Sequence, residues 1–228
     1  MAQKKQREFD KTKVCSTSGY FRSRRPTCEV MEQSQLLYDN GSGYTISYVN
    51  SEAELQCIFA LRYEEYCVKM HSLDPADYPD GIEVDAFDAV AAHFSGKLNN
   101  EVVGTSRLVF PVRGVFLMET SEEAFTLPDW IPRDTSAESS RLIAHTIVNL
   151  AGQRVKQSLL LLEASCRWSA QQGLTHWVVA SEKRFYDYLL SRGWPFQTLG
   201  ESKVYHGAMT VPVCLELDAL LRWFDVQD

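Results

Sequence analysis

An α/β sandwich built on a mixed sheet is the fold class that the sequence predicts. The chain has 228 residues, of which 45% are hydrophobic and 23% charged. These values are typical of a globular protein and exclude a disordered chain, a collagen-like fibre and a coiled coil. Strand-like and helical patterns follow each other in the order β, α, β, β, β, α, β, α, β, β. The length predicts one domain plus a tail.

Local patterns define each element. β-prone runs between turn residues indicate strands, and apolar residues three or four positions apart indicate helices. Ser51 with Glu54 predicts a capping box at the first helix, and Asn99-Asn100 predicts the turn of a hairpin. The predicted elements are strand 44–49, helix 51–70, an acidic loop 71–88, hairpin strands 89–97 and 101–110, strand 139–146, helix 154–172, strand 175–180, helix 181–192, two strands within 197–213 and helix 218–224.

The N-terminal residues 1–43 predict a basic flexible arm ahead of a domain at 44–228. Residues 1–30 carry a net charge of +5 and the whole chain −7, which leaves −12 on the remainder. An acidic body argues against nucleic acid as a partner. We find no apolar run long enough for a membrane span and no apolar signal segment, so we expect a cytoplasmic protein. The scattered cysteines predict no metal site, and nothing indicates an oligomeric state.

Several charged residues occur where the patterns point to the interior. Arg62 shares a helical stripe with Phe59 and Tyr66, and Arg107 shares a strand face with Val109. Buried charges require partners. We therefore expect one network of arginines and carboxylates, formed by Arg62, Arg107, Arg141, Asp85, Asp88 and Glu138.

Segments of the chain resemble one branch of the GNAT acyltransferases. That branch contains the long-chain N-acyl amino acid synthases and the acyltransferases associated with the exosortase/PEP-CTERM system. The segments are LRYEEYC (61–67), YPDGIEVDAFD (78–88), VVGTSRLV (102–109), ESSRL (138–142), GLTHWVVASE (173–182) and YHGAMTVP (205–212). The resemblance implies a GNAT-like three-layer α/β/α sandwich with a mixed central sheet.

A more distant resemblance is to the acyl-homoserine-lactone autoinducer synthases. Those enzymes carry an arginine on the first helix, an Asp-x-x-Asp pair, an arginine on a central strand and a Glu-x-x-Arg motif. The residues that correspond, in the same order, are Arg62, Asp85 with Asp88, Arg107, and Glu138 with Arg141. The Arg-x-Gly-Trp-type segment of those synthases is replaced by VKMHSLDPADYPDG (68–81). This departure favours a free amino acid over S-adenosylmethionine as the acceptor.

The resemblance implies an N-acyltransferase that moves a fatty acyl group from an acyl carrier protein or coenzyme A thioester to the amine of an amino acid. The product is an N-acyl amino acid. The phosphopantetheine arm of the donor substrate is expected between strands 139–146 and 175–180, which separate in this fold, and no tightly bound cofactor is expected. Two alternatives stay open, namely a non-catalytic protein that binds acyl carrier or lipid, and an autoinducer synthase.

Each candidate residue has a predicted role. Glu138 is the predicted general base, because a carboxylate can take a proton from an ammonium group directly or through water. A coenzyme A pyrophosphate loop is not legible in NLAGQRVKQ (149–157), which favours an acyl carrier protein as donor. The predicted catalytic residues are Glu138, Arg141 and Arg107, the substrate-binding residues are Arg62, Tyr66, Asp85, Asp88 and His206, and the donor-binding residues are Arg154 and Lys156.

Overall fold

The computed structural model describes residues 34–41, 43–148 and 154–227. The strands are β1 (Gln35–Asp39), β2 (Tyr44–Tyr48), β3 (Ala91–Leu98), β4 (Glu101–Val109), β5 (Ser136–Ala144), β6 (Thr146–Val148), β7 (Arg154–Lys156), β8 (His176–Glu182), β9 (Phe196–Thr198), β10 (Lys203–Tyr205) and β11 (Ala208–Glu216). The helices are α1 (Glu52–Tyr63), α2 (Gln157–Gln171), α3 (Lys183–Ser191) and α4 (Leu217–Gln227), and a π-helical segment (Glu64–Lys69) continues α1.

One sheet of nine strands organises the molecule. Its order is β1-β2-β3-β4-β5-β8-β11-β10, and β9 also pairs with β11. Strands β5 and β8 run parallel, whereas the other neighbouring pairs are antiparallel. Strands β6 and β7 form a separate hairpin. The predicted mixed α/β architecture is therefore confirmed. Among the described residues, no helix is long and apolar enough to cross a membrane.

Apolar side chains cover both faces of the sheet and make three layers. On one face, Phe94, Leu108 and Trp177 pack with side chains of α2 and α4. On the other face, α1 packs through Ile58 and Phe59. The connection between β4 and β5 covers the rest of that second face with a separate apolar cluster. Each large side chain buried in this way contributes ~1.5–3 kcal/mol.

The β3–β4 hairpin has the turn that its sequence predicts. Asn99 and Asn100 both adopt the left-handed conformation, with φ of 50° and 71°. Two-residue hairpin turns of this type require positive φ at both positions, which asparagine tolerates better than most residues. The hairpin sets the register of β4 and thereby fixes the position of Arg107 opposite His93.

Strands β5 and β8 pair only over a short stretch and then separate. Their last paired residues are Glu138 and Val178, although β5 continues beside β4 and β8 continues beside β11. Beyond this point β5 contains a bulge, in which Arg141 adopts a φ of 51°. A non-glycine residue in this conformation is uncommon and strained. The separation of the strands and the bulge both fall within residues 138–141. These residues therefore border the gap between β5 and β8.

Strand β1 lies inside the range that the sequence predicted to be an arm. It pairs with β2 through backbone hydrogen bonds from Gln35 to Asp39, so the expected boundary between residues 43 and 44 falls within a hairpin turn. Gln35–Asp39 contains only two leucines and a tyrosine in a polar setting, which is a weak strand pattern; cross-strand pairing with β2 supplies what the local sequence lacks. Residues 1–33 lie outside the described residues.

The first helix of the structure differs from the predicted helix at both ends. Helix α1 ends at Tyr63, and the π-helical segment replaces its last turns. Ser51 occupies the N-cap position without a side-chain hydrogen bond. The predicted capping box is wrong because the Glu54 carboxylate instead accepts hydrogen bonds from Ser95 and from Lys97 Nζ at 2.8 Å. A charged partner on the sheet competes successfully with a backbone amide.

Two other predicted helix starts also shift. Helix α2 begins at Gln157 and not at Arg154, because residues 154–156 pair with residues 146–148 as strands β6 and β7. Strand β8 extends to Glu182, so α3 begins at Lys183 and Ser181 does not cap it. In both places tertiary pairing of β-branched segments overrides the helical pattern.

Candidate active site

Arg62 lies near the end of α1, with its guanidinium group fully enclosed. Its Nε donates to Glu83, and its terminal nitrogens donate to the two carboxylate oxygens of Asp88 at 2.7 and 3.1 Å. The helical stripe directs this charge into the interior, where it needs partners. Arg62 has no exposed surface and holds the carboxylates of the network together, and its predicted role in substrate binding stays a prediction.

Arg107 extends from β4 towards the same carboxylates. Its Nη1 donates to Asp85 and to Asp88 at 2.7 Å each, and its Nε donates to Ser140 Oγ on β5 at 3.1 Å. Its Nη2 is buried and has no hydrogen-bond partner among the described residues. Arg107 has no exposed surface either. In this arrangement its positive charge lies beside the carboxylates of the network, and its predicted catalytic role stays a prediction.

Arg141 is the arginine of this network that reaches the surface, because its side chain is 25% exposed. Its Nη2 donates to Glu83 at 2.9 Å and to Asp85 at 3.2 Å, and its Nε donates to Glu83 at 3.2 Å. The guanidinium carbon lies 5.4 Å from the ring centre of Tyr66, in a cation–π contact. Its Nη1 makes no hydrogen bond to the described residues and is available to a ligand.

The acidic loop folds so that its carboxylates point at the arginines. The Glu83 amide donates to Phe59 O of α1 at 3.0 Å, which ties the loop to the helix. Further along, Asp88 accepts a hydrogen bond from the Asp85 amide at 2.8 Å, and Asp85 accepts one from the Phe87 amide at 2.9 Å. These side-chain-to-backbone bonds are typical of Asx turns. The loop is therefore ordered by the same carboxylates that bind the arginines.

The network balances its charges. Burial by itself would raise the pKa values of Glu83 and Asp88, but hydrogen bonds and charges of Arg62 and of the neighbouring arginines outweigh burial and hold both pKa values below their ordinary range. His93 Nε2 lies 3.3 Å from the backbone oxygen of Asp88. Burial lowers the pKa of His93, so this ring adds no charge at pH 7.

The fold is expected to lose stability in acid because of this network. The ordinary pKa values of Glu83 and Asp88 are 4.5 and 3.8, and the folded state lowers both. Their contribution is therefore complete above roughly pH 5 and is lost as the pH falls through the folded values. Thermal unfolding followed by circular dichroism between pH 3 and pH 7 measures this. A melting temperature that stays constant below pH 4 would contradict it.

Glu138 lies on β5 at the last residue paired with β8. It is 2% exposed, and its Oε2 accepts a hydrogen bond from the Met118 amide at 2.9 Å. Burial raises the pKa of Glu138 to about 8, and the Met118 hydrogen bond and the charge of Arg107 only partly oppose this rise. A carboxyl group that titrates near neutral pH suits proton transfer.

Glu83, and not Glu138, is the third carboxylate of the arginine network. Glu83 has no exposed surface and contacts both Arg62 and Arg141. From the sequence it is one acid in an acidic loop. The signal that could identify it is its position between Ile82 and Val84, which marks it as an acid on an apolar segment.

Tyr205 and His206 complete the described surroundings of Glu138 and Arg141. Burial raises the pKa of Tyr205, and the charge of Glu138 raises it further. The His206 ring lies 4.2 Å from the Tyr205 ring, and partial burial together with Arg141 lowers its pKa. Gly207, which follows His206, is one of the residues that line a cavity of about 350 Å³. The lining residues are Glu182, Lys183, Arg184, Gly207, Ala208 and Met209. Tyr205 was not predicted, since one tyrosine in a short strand carries no distinguishing pattern.

A second pair of titratable groups, also not predicted, lies at the end of β5. His145 Nε2 is 2.9 Å from a carboxylate oxygen of Glu65, which is itself bonded to Lys69. Glu65 belongs to the π-helical segment, which also carries Tyr66. The unusual helical turn thus positions one residue against His145 and the next against Arg141, and π-helical turns are frequent at functional sites.

The predicted donor-binding residues lie on β7, which pairs with β6 outside the nine-stranded sheet. Arg154 is the first residue of β7, and its side chain lies outside the described residues. Lys156 is exposed and occupies the N-cap position of α2. Its charge therefore faces solvent, where it is available to an anionic partner.

Comparison with known proteins shows a similarity to one family model and supports the fold. Residues 61–148 match the model of an acetyltransferase (GNAT) domain. The CoA-dependent acyl-homoserine lactone synthase BjaI, with SAM and isopentyl-CoA, is similar at a TM-score of 0.60 and 20% identity, over 77% of this chain and 82% of that one. TofI, in a complex with an inhibitor and MTA, is similar at 0.63 and 19%, over 80% and 96%.

An N-acyl amino acid synthase is also among the similar structures. FeeM, from uncultured soil microbes, is similar at a TM-score of 0.58 and 13% identity, over 80% of this chain and 93% of that one. At such low identities these similarities establish the fold and not the substrate. The resemblance to GNAT enzymes that the sequence indicated is confirmed.

Proposed function

We propose that this chain, an acyltransferase of the GNAT type, transfers a fatty acyl group from a carrier-protein or coenzyme A thioester to the amine of an amino acid. The observation that carries the proposal is the position of Glu138. This nearly buried carboxyl group lies where β5 and β8 separate, and the exposed Arg141 follows it on the same strand. A proton acceptor and a carboxylate-binding group thus occur at the mouth of the gap between the strands.

The reaction divides between these groups. Glu138, whose Oε2 accepts a hydrogen bond from the Met118 amide, takes a proton from the acceptor ammonium through a water molecule. The free amine attacks the thioester carbonyl carbon, a C–N bond forms, and the C–S bond breaks. This first proton passes on to solvent, Glu138 takes a second proton from the nitrogen of the tetrahedral adduct, and it gives that proton to the leaving thiolate, so that the thiol and the neutral amide are released. The buried positive charge of Arg107 keeps Glu138 ionisable in this apolar setting.

The acceptor carboxylate is assigned to Arg141. Arg62 and Arg107 are enclosed and committed to the protein's own carboxylates, whereas Arg141 retains Nη1 for a ligand. Because the network is already neutral, a zwitterionic amino acid adds no net charge to the site. The nearby His206 and the cavity beside it provide a half-open surface for the acceptor side chain.

Arg141→Lys is expected to weaken binding of the acceptor. Lysine keeps the positive charge but loses the planar fork that spans Glu83, Asp85 and a ligand. Loss of one charge-assisted hydrogen bond of ~1.5–3 kcal/mol corresponds to a KM for the acceptor about 10- to 100-fold higher. Steady-state kinetics with varied acceptor measures this. The matched control is Arg167→Lys, whose guanidinium bridges Glu163 and Asp225 elsewhere on the surface; an equal KM in both variants would contradict the assignment.

The proposed function is tested first by mass spectrometry of lipid extracts. Cells that express the parent chain are compared with cells that express Glu138→Gln. An N-acyl amino acid present only with the parent supports the proposal and identifies both the acyl length and the acceptor. Identical extracts, together with no product from purified protein, acyl donors and pooled amino acids, would overturn it.

Two further experiments identify the acyl donor and distinguish the proposed function from the two alternative functions. Purified protein is supplied with acyl carrier protein and, in parallel, with coenzyme A thioesters of the same chain, which identifies the donor. S-adenosylmethionine replaces the amino acids in a third reaction, because the fold is also that of acyl-homoserine lactone synthases. Release of methylthioadenosine would support an autoinducer synthase. Stable binding of acyl carrier protein without turnover would support a non-catalytic binding protein.

A further inference from the structure

The connection between β4 and β5 contains an ion pair that the chemistry described above does not use. Arg133 donates through Nη1 and Nη2 to the two carboxylate oxygens of Glu119, the latter at 3.0 Å. Nη1 also donates to Gly114 O at 2.7 Å, and the guanidinium carbon lies 5.2 Å from the ring centre of Phe116. This two-pronged geometry is the strongest form of an arginine–carboxylate contact.

The ion pair holds a short turn in place. Glu119 Oε2 accepts a hydrogen bond from the Phe116 amide at 3.0 Å, so the carboxylate closes the 3₁₀ turn Leu117–Glu119 at its start. Phe116 and Met118 anchor the turn in the apolar core, because neither residue has any exposed surface. Arg133 thereby ties the beginning of the connection to its end.

The turn presents the Met118 amide to Glu138. That amide donates to Glu138 Oε2 at 2.9 Å, and Arg133 itself begins the 3₁₀ turn Arg133–Thr135 that leads into β5. The Met118 amide thus belongs to the turn that contains Glu119, and Glu138 belongs to the strand that follows Arg133. The ion pair therefore connects the segment of the hydrogen-bond donor with the segment of its acceptor. A shift of the turn would change the contact that orients Glu138.

We propose that the Glu119–Arg133 ion pair is a positioning device for Glu138, because it holds the 3₁₀ turn whose Met118 amide donates to Glu138 Oε2 and so fixes the orientation in which this carboxyl group exchanges a proton. The proposal rests on the proposed function in giving Glu138 a role in proton transfer. The charged and titratable groups around Glu138 are Arg107 from β4, Glu119 from the turn and Tyr205 from β10.

Arg133→Met is expected to move the activity of the enzyme to higher pH. Loss of the two-pronged contact between Arg133 and Glu119 loosens the hydrogen bond from the Met118 amide to Glu138. It also leaves the negative charge of Glu119 unbalanced near Glu138. Both effects favour protonated Glu138. We expect the rising limb of kcat against pH to shift upward by about half a unit or more, and kcat at pH 7 to fall roughly tenfold with little change in KM.

The double variant Glu119→Gln/Arg133→Met separates position from charge. This variant removes both charges and still lacks the two-pronged contact between residues 119 and 133, so its kcat is expected to stay low. Recovery of the parent kcat and pH profile would mean that Arg133 only balances charge, which would overturn the proposal. Arg133→Lys carries the same test if Arg133→Met does not fold, since it keeps the charge and loses the two-pronged contact. The control Arg167→Met removes an ion pair elsewhere and should leave the profile unchanged.

A titration that needs no turnover distinguishes failure of this proposal from failure of the proposed function. The Glu138 carboxyl carbon is observed by ¹³C NMR in labelled protein and assigned by its absence in Glu138→Gln. An upward shift of its titration midpoint in Glu119→Gln/Arg133→Met, which carries no unbalanced Glu119 charge, supports the positioning role even in a protein without acyltransferase activity. An unchanged midpoint in a folded variant overturns it.

Discussion

Glu83→Gln is expected to destabilise the fold more than any other single substitution of the arginine network. Glu83 has no exposed surface and accepts hydrogen bonds from both Arg62 and Arg141. Glutamine has nearly the same shape but leaves two guanidinium groups with one carboxylate too few. Removal of one partner of a buried ion pair costs about 3–5 kcal/mol. Urea denaturation at pH 7 measures the loss as a lower midpoint.

The matched control is Asp80→Asn in the same loop. Asp80 is exposed, so its substitution is expected to change the free energy of unfolding by less than about 0.5 kcal/mol. If the two variants unfold at the same urea concentration, the buried network does not carry the stability assigned to it. A further comparison at pH 3 is informative, because protonation should narrow the difference between the parent and Glu83→Gln.

Glu138→Gln is expected to abolish most of the turnover and, at alkaline pH, to stabilise the protein. The amide side chain can keep the Met118 hydrogen bond but cannot exchange a proton, and general-base catalysis contributes about 10²–10⁴ in rate. For the parent, kcat is expected to rise with pH through about 8, where Glu138 loses its proton. Steady-state kinetics from pH 6 to pH 9.5 gives both results.

The sign of the stability effect follows from the pKa of Glu138. The folded state raises this pKa from 4.5 to about 8, so between these values the folded protein binds more protons than the unfolded chain. The parent therefore loses stability as the pH rises from 4.5 to 8, by a few kcal/mol at ~1.4 kcal/mol per pKa unit. Glu138→Gln lacks this loss and should melt at a higher temperature than the parent at pH 9.

The control for Glu138→Gln is Glu101→Gln, which changes an exposed residue at the start of β4. It should leave both kcat and the melting temperature unchanged. An inactive Glu138→Gln variant that melts below the parent at pH 9 would indicate damaged packing instead of a lost proton acceptor. Near-parent turnover of Glu138→Gln would show that Glu138 is not the base.

Local patterns in the sequence predicted the main helices and strands, although not β1, β6 and β7, and the burial of several charged residues. Asn99-Asn100 specifies its hairpin turn, because few residues adopt positive φ twice in succession. Arg62 lies on an apolar helical stripe, and Arg107 lies among residues that favour burial, so a paired charge at each place was predictable. The helix starts near residues 154 and 181 were not, because strand pairing elsewhere in the chain competes with local helix propensity.

The tertiary structure alone decided which charges meet and which reach a substrate. Glu83 is 21 residues from Arg62 and 58 from Arg141, and no local period relates such positions. The two-residue period of a strand also does not reveal the bulge that turns Arg141 outward, or the end of the β5–β8 pairing at Glu138. Sequence periodicity reports which face of an element is buried. Pairing, exposure and pKa depend on distances between elements, and these are set only when the sheet, the acidic loop and the β4–β5 connection pack together.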